Sequence, residues 1–388
     1  WLALSAANDT WSSMLNDTSL QALWTTILLC GGVSFIVCTL GVGTAWLVVA
    51  YDFQSRRILS WALLLPLAVP SYIVAYVYLD LLHPLGPVQE LIRTVLGYSG
   101  PREWKFGDIR GVSTAIILLG FVLYPYVYLS ARAMFMTQPA NLLHAARSLG
   151  RSEISSFWHV ALPMARPAIA IGLSLALLET LNDIGASEFL GVRSLTVFIY
   201  TNWHTHGDLG AGVKLAMLML IAILAIAFFM RDRKKNSSYA NIRNSQVIEA
   251  RKLQGSSAIA ACLLGWAPVL IGFVIPTCFL CLQVLRHSNS TAIFTPPLLE
   301  ALYNTVLIAV LATALSILSA TLIVWSTRDA IEGTALGRLM KMNASLGKIG
   351  YALPGTMIAI GLLVTYGWID SALHNIYKTL TKDGTGFL

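Results

Sequence analysis

The stretch "LLHAARSLGRSEISSFWHVALPMARP", Leu142–Pro167, interrupts a chain that otherwise consists largely of apolar runs. Of its 388 residues only 12% are charged and 56% are hydrophobic, and the mean hydropathy is +0.69. Such a composition is typical of a polytopic α-helical membrane protein, in which runs of about 20 apolar residues cross the bilayer. A compact polar stretch of Arg, His, Ser and Glu therefore indicates a loop with a task of its own between two spans.

The apolar windows predict an all-α fold with about eight membrane-spanning helices. The predicted spans run approximately over Trp24–Ala50, Ile58–Leu82, Val112–Leu129, Pro167–Leu181, Gly210–Met230, Ser257–Leu285, Leu302–Trp325 and Ile349–Ile369. Prolines lie inside several spans, at Pro66, Pro70 and Pro125. They provide either kinks that helix movement uses or static bends.

Basic residues are concentrated in four loops, at 56–57, 132–166, 231–252 and 328–348. By the positive-inside rule these loops face the cytoplasm. They account for the net charge of +7, so no nucleic-acid partner is predicted, and the lipid bilayer is the expected environment.

One unit occurs twice along the chain. "SLQALWTTILL" from Ser19 and "LLEALYNTVLI" from Leu298 share Leu, Ala-Leu, Thr and Leu in one register. The predicted organisation is a first repeat at 1–230 that lacks its first helix, a basic and polar cytoplasmic linker at 231–256, and a second repeat at 257–388. The chain is interpreted as clipped at both ends.

The polar stretch contains a spaced pattern: two alanines, a glycine four residues after the second, and a Leu-Pro pair further on. Its candidate functional residues are His144, Ala145, Ala146, Gly150, Phe157, Val160, Leu162 and Pro163. The spacing resembles the EAA loop of binding-protein-dependent ABC transporter permeases, with His144 where that family usually has Glu and Val160 where it usually has Ile. The resemblance implies that residues 141–163 couple the chain to an ATPase.

The local chemistry of this loop predicts a helix, a turn and a second helix. Asn141 can cap the first helix, and Gly150 can end it in the left-handed conformation. The second helix, near Glu153 to Val160, offers Phe157 and Trp158 as apolar anchors for a partner. The alternative is an amphipathic loop that lies on the lipid headgroups.

The longer stretch "ARSLGRSEISSFWHVALPMARPAIAIGLSLALLETLNDIGASEFLGV" resembles the fused, two-repeat permeases of iron(III) ABC importers. The resemblance implies the type I ABC importer permease fold in a bacterial inner membrane. It also implies ferric iron as cargo, a periplasmic iron-binding protein and a cytoplasmic homodimer of ATPase subunits. The second repeat would then be truncated before its own EAA loop. Thiamine, polyamine or phosphonate importers are alternatives, and a membrane receptor or scaffold without an ATPase partner is a candidate from a different class.

The motifs of an enzyme are missing from the sequence. No GxxxxGK[ST] phosphate-binding loop occurs, so ATP hydrolysis is expected on a partner chain. Neither GxSxG nor HExxH occurs, and no cofactor is predicted.

Acidic and amide side chains at the outer end of the predicted fourth span are candidates for the translocation path: Glu179, Asn182, Asp183 and Glu188. Glu179 and Asp183 are four residues apart and would share one helical face. Because lipid penalises such groups, they either line a water-filled path or form a buried network. His204 and His206 share an outer loop, but a pair without a third ligand does not predict a metal site.

Overall fold

Helices occupy nearly all of the chain that the structure describes. The computed structural model describes residues 17–138 except 106 and 108, and residues 146, 148–205, 215–217, 219–221, 250–287, 295–328 and 355–381. The helices are α1 Asp17–Ala50, α2 Arg56–Ala62, α3 Ser71–Leu81, α4 Pro87–Leu96, α5 Val112–Thr137, α6 Glu153–Asn182, α7 Gly185–Phe189, α8 Leu195–His204, α9 Ser256–Arg286, α10 Pro296–Arg328 and α11 Gly355–Thr381.

The described residues form two compact units, one running to Cys278 and resuming at Gly355, the other being Phe279–Pro354. Within these described residues, α1, α5, α6, α9 and α10 are long and apolar enough to cross a membrane, and α2 with α3 meets the same criterion only as a bent pair, which we call the broken span. The predicted all-α membrane fold is confirmed. In the span predicted at Gly210–Met230, residues 215–217 and 219–221 are helical, and the remainder lies outside the described part of the chain.

The fourth span is longer than predicted. Instead of beginning at Pro167, α6 begins at Glu153 and continues through Pro163 and Pro167 to Asn182. A single π-helical turn, Phe157–Ala161, lies just before Pro163, and Leu162 N–H donates to Phe157 O across it. This wider turn accommodates the missing N–H of Pro163 without ending the helix. The predicted separate second helix of the coupling loop is therefore the first part of a span.

The second predicted span, Ile58–Leu82, is not a continuous helix. The chain bends by 90° between Arg56–Ala68 and Ser71–Leu81. Val69, which precedes Pro70, is extended with φ −106° and ψ 122°, because the proline ring disfavours helical geometry in the residue before it. A 3-10 turn at Leu65–Ala68 leads into the bend.

The core of the first unit is the contact between α1 and α5. A Cβ added at Gly32 would lie 2.5 Å from Ile116, and one added at Gly120 would lie 2.5 Å from Ile36. Each helix thus inserts an isoleucine opposite a glycine of the other. Such small-residue contacts allow close approach of helices in lipid, where the hydrophobic effect does not drive them together.

The end of the linker, Arg251–Lys252, and helix α9 pack onto the segment that runs from the end of α1 to α3. Tyr51–Asp52 and Arg251–Lys252 form a short parallel strand pair. Trp266 Nε1 donates to Ser55 Oγ at 3.1 Å, and Tyr78 OH donates to Ile271 O at 2.6 Å. In the second unit, the long apolar helix α10 has no buried side chain in its most apolar stretch.

Two glycines of α1 provide a test of this packing. A Cβ at Gly41 would lie 2.7 Å from Val127 Cβ and 2.9 Å from Tyr128 N, whereas a Cβ at Gly43 would meet nothing within 4 Å. We expect Gly41→Ala to destabilise the fold by about 1–3 kcal/mol through overpacking. Gly43→Ala, the matched control, should be neutral or stabilising by up to about 1 kcal/mol because alanine favours the helix.

The measurement is the folded fraction of each variant in detergent after heating, followed by size-exclusion chromatography. Equal apparent Tm values for the two variants would contradict the packing described for α1 and α5.

Candidate functional site

Residues from three loops that were predicted to be cytoplasmic meet at one end of the first unit. The strand pair joins Tyr51–Asp52 to Arg251–Lys252. From that strand the Arg251 guanidinium reaches Glu153 Oε1 at 2.9 Å. Arg251 is largely exposed, so the pair contributes about 0–1 kcal/mol and acts mainly by positioning the linker end beside α6.

The turn before α6 has the predicted glycine geometry. Gly150 has φ +82°, and Arg151 N–H donates to Ala146 O at 3.0 Å. This is the Schellman arrangement, in which a left-handed glycine ends a helix and the next N–H satisfies a carbonyl of its last turn. The left-handed conformation predicted for Gly150 is confirmed, while Asn141, His144 and Ala145 lie outside the described residues.

The chain returns to helix immediately after this turn. Ser152 Oγ accepts the N–H of Ser155 at 3.2 Å and caps α6. Glu153 follows in the first turn, where a carboxylate interacts favourably with the helix dipole. The Ser-Glu pair is a local N-terminal signal that the sequence analysis did not use.

Phe157 does not face outward as predicted. Its ring packs 5.0 Å from that of Trp46 and 6.3 Å from that of Phe135. Val160 and Leu162 also pack against the core. Phe157 therefore supports the coupling segment from within instead of presenting an apolar anchor.

Three exposed apolar side chains lie around the Gly150 turn: Leu149, Ile154 and Trp158, with exposed fractions of 84%, 72% and 58%. We call these three residues the cytoplasmic patch. Ile154 and Trp158 are four residues apart and share one face of α6, and Leu149 precedes the Gly150 turn. Of these three residues, only Trp158 was predicted from the sequence as an apolar anchor, and Leu149 and Ile154 were not. The four-residue spacing of Ile154 and Trp158 was the available signal.

The polar residues at the opposite end of α6 lie around the last residue of the helix. α6 ends at Asn182, and Asp183 has non-helical backbone angles, φ −77° and ψ 100°. Asp183 thus caps the helix instead of continuing it, while its carboxylate still interacts electrostatically with that of Glu179, as their predicted proximity implied. Glu179 is exposed on the last turn of the helix.

Asp183 joins two neighbouring helices. Its Oδ1 accepts the N–H of Ala186 at 2.8 Å, at the start of α7. It also accepts a hydrogen bond from Ser71, the first residue of α3. Burial raises the pKa of the Asp183 carboxyl, and the hydrogen bonds from Ser71 and Ala186 oppose this shift. Asp183 thus has a structural role at this end of α6.

The two remaining candidates for the translocation path, Asn182 and Glu188, differ in burial. Asn182 Oδ1 is buried and has no hydrogen-bond partner among the described residues. A buried amide oxygen of this kind is rare in stable cores and suits a position that meets water or cargo. Glu188, in α7, is exposed.

In the described part of the chain, no group of three or more His, Cys, Asp or Glu side chains is arranged to hold a metal ion. The ring of His204 stacks on that of Tyr200 at 5.3 Å. His206 lies outside the described residues.

Comparison with known proteins identifies the family. Residues 37–233, slightly over half of the 388-residue chain, match the family described as "Binding-protein-dependent transport system inner membrane component". The chain belongs to this family. It is a multi-pass inner-membrane protein and a permease component of ABC importers.

Three similar proteins show the range of relatives. ModB, the molybdenum transport system permease protein of Escherichia coli K12, is 27% identical over 233 residues, which are 57% of this chain and 98% of ModB. The molybdate/tungstate permease WtpB of Methanocaldococcus jannaschii is 22% identical over 57% of this chain and 87% of WtpB. The Fe(3+)-transport permease FbpB 2 of Haemophilus influenzae is 24% identical over 56% of this chain but only 39% of FbpB 2.

A solved structure supports the fold. A bacterial ABC transporter involved in the import of alginate aligns with a TM-score of 0.50 at 15% identity, over 61% of this chain and 88% of that chain. The fold is the type I importer permease fold, as the sequence resemblance implied.

The hydrogen bonds of Asp183 lead to a paired prediction. Asp183→Ala removes the acceptor for Ala186 N–H and should destabilise the fold by about 0.5–2 kcal/mol. Asp183→Asn keeps a side-chain oxygen acceptor at the same position and should change stability by much less.

Thermal unfolding of the purified protein in detergent measures both variants, with Glu188→Ala as a control at an exposed carboxylate of the same region. If Asp183→Ala and Asp183→Asn destabilise the fold equally, the charge of Asp183, rather than its hydrogen bond from Ala186 N–H, stabilises the fold.

Proposed function

We propose that this permease is driven by a separate cytoplasmic ATPase, present as a homodimer, that docks on the cytoplasmic patch. The observation that carries the proposal is the exposure of Leu149, Ile154 and Trp158 around the Gly150 turn. Exposed apolar side chains at the water-facing end of a membrane protein favour a protein partner. The resemblance of residues 141–163 to the EAA loop supports an ATPase as that partner.

The continuity of α6 supports force transfer from this patch. One helix of 30 residues connects Glu153 to Asn182, a length of about 45 Å. Movement of the patch by an ATPase would therefore reach the outer end directly, without passing through a flexible loop. Alternating access by rigid-body movement of packed helices is the corresponding mechanism.

The outer end of the same helix is the proposed start of the cargo path. Glu179, Asn182, Asp183 and Glu188 lie on α6 and α7 or between them. A periplasmic binding protein would release its cargo at this end. Asn182 Oδ1, buried and without a described partner, is the member of this set whose chemistry best suits a transient contact with cargo.

For the cargo we propose ferric iron, delivered by a periplasmic iron-binding protein. The exposed carboxylates of Glu179 and Glu188 near the outer end are hard oxygen donors, which suit a hard cation. FbpB 2 matches over 39% of its own length, as expected if this chain carries part of a fused, two-repeat permease. The repeat boundaries at 1–230 and 257–388 belong to this proposal.

Molybdate or a similar oxyanion is the second candidate. ModB and WtpB match over 98% and 87% of their lengths, so their similarity covers a whole permease. The acidic outer end of α6 argues against an anion, because carboxylates repel it.

Truncation of the patch tests the ATPase partner. We expect Ile154→Ala to weaken binding of the purified ATPase to the full-length permease about tenfold, since a buried apolar anchor contributes about 1–2 kcal/mol to an interface. Ile117→Ala is the matched control, because Ile117 is also an exposed isoleucine but lies within the span α5.

Binding is measured between the purified ATPase subunit and the permease in detergent micelles. Unchanged affinity for Ile154→Ala would place the docking surface elsewhere.

Uptake by the full complex tests the cargo. Vesicles that contain the permease, its ATPase and its binding protein should accumulate labelled ferric iron on addition of ATP, and excess molybdate should not compete. Accumulation of labelled molybdate instead would select the oxyanion candidate and overturn the iron proposal.

A further inference from the structure

The outer segment between α3 and α5 contains a short amphipathic helix with an unusual orientation. α4, Pro87–Leu96, turns its polar residues Gln89 and Arg93 toward the rest of the chain, where both are buried. Gln89 Nε2 donates to Leu82 O at 2.6 Å, and an Arg93 guanidinium N–H donates to Pro84 O at 2.7 Å. These bonds fix α4 against the residues that directly follow α3.

Part of the apolar surface of α4 points away from the protein, while Val88 and Ile92 are half-buried. Leu91 and Val95, one turn apart, have exposed fractions of 67% and 78%. Helices of soluble proteins do the reverse and bury the apolar stripe. The exposed apolar residues on either side of this pair are Leu85, Leu96 and Tyr98.

A third side of α4 is polar and exposed. Glu90 and Thr94 are exposed, and they lie on the helix between the buried pair and the apolar pair. The helix therefore has one side for the protein, one for an apolar medium and one for water. Such a division is typical of a helix that lies in the plane of a membrane surface.

The position of α4 in the chain favours lipid, rather than a protein partner, as the medium around its apolar side. It begins six residues after the end of α3, part of the broken span, and is followed by the span α5. Because its side-chain bonds go to Leu82 and Pro84, α4 lies at the boundary where the chain leaves the membrane. Gly97, with φ +79°, ends the helix, and Tyr98 follows, a residue type enriched at membrane interfaces.

We propose that α4 is an interfacial anchor that inserts Leu91 and Val95 into the outer leaflet of the bilayer. Through the bonds of Gln89 and Arg93, it fixes the depth of the outer end of α3 in the membrane. α3 in turn contacts α7, where the rings of Tyr76 and Phe189 lie 6.4 Å apart. The lipid surface thus provides a fixed support for the outer end of the helix bundle.

Site-specific fluorescence tests this anchor. In the full-length protein, the native cysteines are replaced by alanine, and single cysteines are introduced as Leu91→Cys, Val95→Cys or, as the matched control, Glu90→Cys. Each is labelled with an environment-sensitive dye in vesicles of phosphatidylethanolamine and phosphatidylglycerol. Dyes at positions 91 and 95 should be quenched several-fold more by lipids carrying a nitroxide near the top of the acyl chain than by aqueous iodide. The dye at position 90 should show the opposite order.

Two outcomes would overturn the anchor. Iodide quenching at all three positions places the apolar side in water, and protection that requires added periplasmic binding protein assigns it to a protein partner. A second measurement uses the protein without substitutions, in vesicles that contain a lipid with a carbene precursor in its acyl chain. Photolysis should leave adducts on the peptide that contains Pro87–Leu96, and the absence of adducts there contradicts lipid insertion.

Discussion

The close contact between α1 and α5 is the constraint on which the other elements depend. In lipid, apolar surface gains nothing by leaving its surroundings, so helices associate only where their shapes fit. Gly32 opposite Ile116 and Gly120 opposite Ile36 provide that fit from both sides. This reciprocal pattern sets both the distance and the register of the two helices. α6 then packs on α5 in the same way, with Gly172 against the backbone of Tyr126 and Val127.

The same scaffold holds the cytoplasmic patch in place. Trp46 of α1, Phe135 of α5 and Phe157 of α6 form one aromatic cluster, with ring centroids 5.0 to 6.3 Å apart. Because Phe157 is fixed inward, Ile154 and Trp158 on the same helix are held outward. A docking surface needs this preorganisation, since ordering loose side chains on binding reduces affinity.

The sequence predicted what depends on local chemistry and missed what depends on packing. The left-handed Gly150 follows from its position after a short helix and is independent of distant residues. The continuation of α6 through Pro163 could not be predicted locally. A π turn stabilised by its neighbours replaces the helix break that a proline normally indicates. Phe157 and Trp158 are adjacent aromatic residues, and the contacts with Trp46 and Phe135 distinguish the half-buried Phe157 from the exposed Trp158. The four-residue spacing of Glu179 and Asp183 predicted their proximity, but it did not predict that Asp183 leaves the helix and accepts hydrogen bonds from Ala186 and Ser71.

The broken span α2–α3 explains why α9 packs where it does. A break in a membrane helix frees backbone groups that lipid cannot satisfy, so the break must be covered by protein. Tyr128 OH donates to Ser60 O at 2.9 Å on one side of it. On the other side, α9 contains a π turn at Leu270–Val274, and a Cβ added at Gly272 in this turn would lie 3.1 Å from Pro66. The hydrogen bond from Tyr78 OH to Ile271 O has two effects. It satisfies a carbonyl of that π turn, and it holds α3 to α9. The bend between α2 and α3 and the π turn of α9 thus cover each other's free backbone groups, which lipid could not satisfy.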